Sequence, residues 1–313
     1  MEDKATVVEV VQQVVNRPPS EYKVKRSRWD LESLVEILSP QLRIHSRSGM
    51  WQMLKRIGFS YRRARNYVHS PDPQYDEKRT YIELCIEKYD PQNPNKVVIL
   101  CEDELTYYNH ASISSAYCAA GTQPLAHTAV GGTKQTRIAG CMNLFTGQFT
   151  YIQRSRISIS ALVNLWKQVQ KAYPEAETIY VIIDNWPIHY HPDVLDALVQ
   201  QSSPFELKTP SRWQHIQPSG KYTQLELPIQ LVPLPTYASW LNPIEKVWKW
   251  LKKELLHLHD YAHRFKELRP EVDKYLAQFE QINDELLQIC GLKNQKGIYA
   301  QSIIKAQPQF FGG

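Results

Sequence analysis

Three acidic positions stand where predicted elements begin or end. The run Cys101-Glu102-Asp103-Glu104 closes a short apolar stretch, Val97 to Leu100; Asp184 follows Thr178 to Ile183; Glu245 opens a helix entered through Leu234-Pro235-Thr236. Carboxylates gathered at one place repel unless something neutralises them, and hard divalent cations with oxygen ligands do so. Two such ions ~3.5–4 Å apart suit in-line phosphoryl transfer. Each acid also has a plainer reading. Acids at strand ends are commonly just solvated. Glu245 follows Asn242 by three and Pro243 by two, the spacing of a capping box with proline at the first helical position. Side chains alternate along a strand, so Glu102 and Glu104 face away from Asp103, and only one set is expected to point into a shared site.

The elements that would carry these acids alternate in type. Val97 to Leu100 and Thr178 to Ile183 are continuous apolar runs of the kind buried on both faces of a sheet. Arg137 to Phe145 and Phe149 to Gln153 flank Thr146-Gly147-Gln148, a hairpin signal with glycine in its turn. Helices are predicted from about Ser160 to Tyr173, with Leu162, Leu165, Trp166 and Val169 on one face, and from about Pro192 to Gln200. Ile229 to Leu234 reads as the last strand. The helix beyond it carries an apolar stripe of Ile244, Val247, Trp248, Leu251, Leu255 and Leu258. The order predicts an α/β fold, a mixed sheet with helices on both faces, with its crevice at the ends of neighbouring strands. The pairs His189/His191 and His257/His259 do not read as metal ligands, because a spacing of two on a helix points side chains apart and no cysteine lies nearby. Trp240, Trp248 and Trp250 read as packing residues, with stacking on an unpaired base as the alternative for Trp240.

Upstream the character is helical and basic. Residues Thr6 to Val15 carry a helical pattern. Trp29-Asp30-Leu31 opens a helix expected to end at Ser39-Pro40, and Ser46 caps a second one running to Gly58. Two short helices joined by a turn suggest a helix-turn-helix, winged-helix-like region. From Glu21 to Ser70 there are eleven lysines and arginines against four acids, which points to a polyanionic partner. Arg47, Gln52, Lys55, Arg56, Arg62, Arg63 and Arg65 are the candidate DNA contacts; a merely solvated basic face is the alternative. Five scattered cysteines without a CxxC pair predict neither disulfides nor structural zinc. No apolar run approaches the ~18 residues of a membrane span, and the acidic start is unlike a signal peptide. A cytoplasmic, nucleoid-associated protein is expected.

The strings CEDE (101–104), IDNWPIH (183–189) and LPTYASWLNPIEKVWKWLK (234–252) closely resemble the DDE-type transposases of bacterial insertion sequences, in the mariner-related branch of insertion sequence 630. RWDLESLVEIL and MLKRIGFSYRRAR are similar to that family's second DNA-binding subdomain. The resemblance implies a ribonuclease H-like catalytic domain in which Asp103, Asp184 and Glu245 form the metal-binding triad for two Mg2+ or Mn2+ ions. It further implies cut-and-paste movement of an element with terminal inverted repeats, insertion at TA sites and a homodimeric or larger synaptic complex on double-stranded DNA. Glu104, Asn185, His189 and Asn242 are candidates to support the triad; Asn185 closing a turn and His189 capping the next helix are the structural alternatives. The chain differs from mariner-type relatives in two expected respects. It starts too late to hold the usual upstream helix-turn-helix, and 61 positions separate Asp184 from Glu245, the excess lying in an irregular segment, 202–227. The expected domains are 1–70 (DNA-binding), 71–95 (helical connector), 96–260 (catalytic, with the 202–227 insertion) and 261–313 (helical tail). A truncated remnant that only binds DNA, and a ribonuclease H-like nuclease that cuts without joining, are the competing functions.

Overall fold

The computed structural model describes residues 4–62, 69–207 and 209–293. The chain divides into two compact units, Met1–Tyr67 and Val68–Gly313. The first holds α1 (Lys4–Val15), α2 (Leu31–Leu42) and α3 (Arg47–Arg56) around a small core of Val11, Val14, Leu34, Leu38 and Met50. Asp30 caps α2 in a reciprocal capping box with Ser33, and Ser46 caps α3 through the amide of Gly49, as their types predict. Gly58, just past α3, has a φ of +92°, the left-handed conformation for which glycine carries no penalty. Pro40 does not end α2, which runs on to Leu42 with the proline in its last turn.

The second unit is built on a five-stranded sheet of β1 (Val97–Tyr108), β2 (Gln135–Asn143), β3 (Phe149–Arg154), β4 (Thr178–Ile183) and β5 (Ile229–Pro233), in the order β3-β2-β1-β4-β5. β1, β2 and β3 pair antiparallel, and β4 and β5 continue parallel to β1. The hairpin turns at Gly147, where a φ of +69° and the carbonyl of Asn283, 2.2 Å from where a Cβ would stand, exclude any side chain. On one face of the sheet α5 (Ile159–Ala172), capped by Ser158, buries Leu162, Leu165, Trp166 and Val169 against Leu100, Ala139, Cys141 and Val181. The other face is covered by α4 (Tyr75–Glu87), α7 (Glu245–Leu251), α8 (Phe265–Ala277) and α9 (Asp284–Ile289). The segment expected as a connector thus lends Ile82 and Cys85 to the main core, and the tail helices pack in cis. All five cysteines are free, and no described helix is long and apolar enough to cross a membrane.

Three expected elements need correction. β1 does not stop at the acids; it continues to Tyr108 because β2 pairs with it beyond Cys101–Ile182, the last pair it makes with β4. The helix predicted over 192–200 is only α6 (Pro192–Leu195), since Leu198 is drawn into a bridge with Leu227. The last predicted helix starts at Glu245 and, after Leu251, widens into a π-helical turn, Lys252–Leu256. The wider turn shifts the buried position from Leu255 to Leu256, and Leu258 lies beyond the helix at a φ of +51°.

Candidate active site

The positions of the three acids follow from the topology. β4 is shorter than β1, so Asp103 lies two residues past the last parallel pair, Cys101–Ile182, while Asp184 directly follows β4. β5 then turns through Leu234–Ala238 into a 3-10 turn, Ser239–Leu241, and Glu245 enters on the first residue of α7. Asp103, Asp184 and Glu245 line one open cavity of about 540 Å³ together with Asn185, Asn242 and the rim Thr236–Ser239.

Each carboxylate is held by its surroundings. Asp184 accepts a 2.7 Å hydrogen bond from the amide of Trp186. Burial pushes its acidity range up, but the adjacent His189 ring and that amide outweigh burial and hold it below the usual value. Asp103 accepts 2.9 Å from the indole Nε1 of Trp248, one turn into α7. Burial, then the charge of Glu245, push Asp103 up to about 7. Burial also raises Glu245, with Lys252 opposing and Asp184 adding. Trp248 reaches Asp103 because the residue paired with Asp103 on β2 is Gly140, where a Cβ would stand 2.5 Å from the Phe149 ring and 3.0 Å from the indole.

Asn185 and Asn242 act as braces. Asn185 donates to the carbonyl of Leu234 at 3.0 Å, tying the ends of β4 and β5. Asn242 does not cap α7 in the expected manner: it is extended, ends the 3-10 turn, and donates to the carbonyl of Glu102 at 2.8 Å, so α7 is anchored to β1. His189 does not cap a helix either; His191 does, accepting from the amide of Asp193. Glu102 and Glu104 do face away from Asp103, toward His189, as alternation requires. Neither lines the cavity that Asp103 shares with Asp184 and Glu245, although carboxylate oxygens of Asp103, Glu104 and Asp184 lie within 4.8 Å of one another. Sequence reasoning missed the second role of Trp248, and no signal short of the Gly140 pairing marks it.

The rim is clamped from the segment that leads into α4. Ser70 donates to the carbonyl of Thr236 at 2.6 Å, and Asp72 accepts from the Thr236 amide at 2.9 Å and from Lys78 at 2.7 Å in a buried pair. Burial alone would raise Asp72, but Lys78 and the amides of Thr236 and Gln74 bring it down to about 2. A carboxylate depressed in the folded state stabilises above its unfolded value of ~3.9, and the gain is lost as pH falls through about 2. Asp72→Asn is therefore expected to cost about 2 kcal/mol at pH 7 in denaturant melts. The gap from wild type should close between pH 4 and about 2; an unchanged gap at pH 2 would show another cause.

In the basic unit, Arg47, Gln52, Lys55 and Arg56 are exposed on α3, and Arg62 is exposed beyond it. Arg47 pairs with Glu32 at 3.2 Å. Arg63 and Arg65 lie outside the described residues.

A mixed five-stranded sheet carrying an acid on its central strand, another on the neighbouring strand end and a third on a following helix is the ribonuclease H-like arrangement. The family model described as DDE superfamily endonuclease matches residues 96–269, and the chain belongs to that family. It is 22% identical over 264 residues to the uncharacterized 39 kDa protein of insertion element IS630 from Shigella sonnei, covering 83% of this chain and 67% of that one. Its fold is similar to the Mos1 mariner paired-end complex with Mn (TM-score 0.54, 15% identity, 86% of this chain and 76% of that chain). It is likewise similar to the Mos1 transposase paired-end complex with the left transposon end (TM-score 0.53, 16% identity, 85% and 76%). The resemblance, fold class and enzyme class expected from the sequence, a DDE transposase with a ribonuclease H-like domain, stand.

Proposed function

We propose that this chain cuts DNA strands at the ends of a mobile element and joins them to target DNA, with Asp103, Asp184 and Glu245 as its metal-holding catalytic residues. The observation that carries this reading is the convergence of those three carboxylates, from β1, β4 and α7, on one open cavity. The donor set fits hard divalent cations: every ligand is a carboxylate oxygen, and burial with the neighbouring Glu245 charge raises Asp103 to about 7, as crowding of carboxylates does. Mg2+ or Mn2+ bound there, in the reading two ions, supplies an acidified water and charge neutralisation of the phosphodiester. Asp103 and Asp184, fixed by Trp248 and Trp186, set the position of that charge. Glu245, lining the same cavity from α7, closes the set. Water attacks phosphorus and the bond to the 3′ oxygen breaks, leaving a 3′-hydroxyl; that hydroxyl then attacks a target phosphodiester and displaces its 3′ oxygen. The number of phosphodiester bonds is conserved in the second step, and no side chain need become covalently attached.

The unit of residues 1–67 is read as the part that grips DNA, through Arg47, Gln52, Lys55, Arg56 and Arg62, with Arg63 and Arg65 following. Terminal inverted repeats, TA target sites, cut-and-paste movement and a homodimeric or larger synaptic complex belong to the same reading. Lys55→Ala/Arg56→Ala is expected to flatten the slope of log affinity against log salt by about 2 in fluorescence anisotropy, roughly one per phosphate contact. An unchanged slope would place the contacts elsewhere. The deciding experiment is strand transfer with a pre-cleaved end from DNA flanking the gene, in Mg2+ or Mn2+, beside Asp184→Asn. Joined product that needs the metal and vanishes in the variant supports the proposal. Cutting without joining supports the nuclease; binding with neither reaction supports a DNA-binding remnant.

A further inference from the structure

Behind the open cavity lies a second cluster that the phosphoryl-transfer chemistry does not use. Glu102 and Glu104 point from β1 toward the α5 side, and His189 comes to meet them from the 3-10 turn Pro187–Tyr190 that follows β4. None of the three lines the open cavity. Glu102 and His189 are 0% exposed. Yet both carboxylate oxygens of Glu102, Oε1 of Glu104 and both ring nitrogens of His189 lack any hydrogen-bond partner. Leaving one buried polar group unsatisfied costs about 1–3 kcal/mol, and more when it is charged. Five such atoms at one place mark a position built for something else.

We propose that Glu102, Glu104 and His189 form an inner cation site that holds one divalent transition ion of the zinc class. One ligand atom from each residue lies within 4.8 Å of the others. Nε2 of His189 stands 3.4 Å from Oε2 of Glu102, 3.6 Å from Oε1 of Glu104 and 3.5 Å from Oδ1 of Asp184. Ligands ~2.1 Å from a tetrahedral ion are separated by roughly 3.4 Å along each edge, so these spacings are long for hydrogen bonds and right for ligands sharing a metal. Imidazole with carboxylates suits zinc and its neighbours, whereas Mg2+ prefers oxygen alone and keeps its waters. No lysine or arginine forms an ion pair with either glutamate among the described residues, and Arg137 acts on Glu104 through its charge alone. The ring is oriented by Trp186 and Tyr190, edge-on at 5.7 and 6.4 Å. Asp184 would touch both sites, so the inner ion braces the carboxylate that faces the open cavity.

The inference does not rest on catalysis, and its test needs none. Full-length Asp103→Asn/Glu245→Gln protein, in which the open cavity is disarmed, is stripped with chelator, dialysed against Zn2+ and then against metal-free buffer containing excess Mg2+. We expect one zinc retained per chain by mass spectrometry, a Tm rise of about 5 °C, and X-ray absorption showing only nitrogen and oxygen neighbours with imidazole back-scattering. Adding Glu102→Gln, a near-isosteric change, should abolish retention without lowering the Tm of the stripped protein, and His189→Gln should do the same. No retained zinc, zinc held through sulfur, or zinc indifferent to Glu102→Gln would overturn the proposal. Should His189→Gln not fold, the imidazole signature and Glu102→Gln decide alone.

Discussion

Asp103→Asn is expected to abolish strand cleavage and joining while making the metal-free protein more stable. The carboxyl is raised to about 7 by burial and by Glu245, so the folded state binds a proton that the unfolded state, at ~3.9, has released by pH 6. For an acid raised on folding, stability is greatest below the unfolded value and is lost as pH rises through the folded one. Above pH 7 the site therefore costs the fold roughly 2–4 kcal/mol. Asparagine keeps an oxygen to accept from the Trp248 indole and carries no charge. Thermal melts at pH 8 without metal should show the variant several degrees above wild type, and the two should converge near pH 4. Mg2+ should raise the Tm of wild type and leave the variant nearly unmoved. Strand cleavage should fall by at least ~10³-fold, since the group that fixes charge at the reacting phosphate is gone. A variant no more stable than wild type at pH 8 would show that Asp103 is ionised at no cost.

Trp248 carries the second large effect, because one side chain serves both core and site. It is 2% exposed, meets Phe149 edge-on with ring centroids 5.7 Å apart, and donates to Asp103. Trp248→Ala removes the plug between α7 and the sheet and should cost about 3–5 kcal/mol. Trp248→Phe separates the two roles. It keeps most of the packing, with an expected loss of about 1–2 kcal/mol in denaturant melts, but removes the donor that lowers Asp103. Its carboxyl then rises further, so metal-dependent cleavage should weaken most on the acid side and recover toward pH 8–9. A uniform loss at every pH would indicate displacement of α7 instead.

How far the sequence reveals such features depends on whether they are local. β4 is read to the residue, and α5 and its buried face nearly so, because Leu162, Leu165, Trp166 and Val169 repeat at helical spacing. The three acids are legible as neighbours because elements of one sheet must end near one another. What escapes is pairing. β1 runs on past its acids only because β2 supports it, and Asn242 leaves its predicted cap because Glu102, 140 positions earlier, offers a carbonyl. The π turn after Leu251 is equally silent in a pattern that a plain helix would satisfy. His189 shows the limit most clearly. Its spacing from His191 speaks only to those two rings, and no local rule tells that its neighbours are the two glutamates turned away from Asp103.

The last helices have a consequence for how such a gene decays. The amide of Phe149 on the edge strand donates to the carbonyl of Phe279, and that of Asn283 to Thr146 in the hairpin, while Leu286, Leu287 and Leu292 complete the same core as Ile82 of α4. That layer cannot close until translation has passed all three acids by some forty codons, since Leu292 lies 47 positions beyond Glu245. A frameshift or stop between α7 and α8 preserves every catalytic codon and still strips α8 and α9 from that face, leaving part of the core open to aggregation and proteolysis. An intact acidic triad in a copy shortened ahead of α8 is thus no sign of a working one.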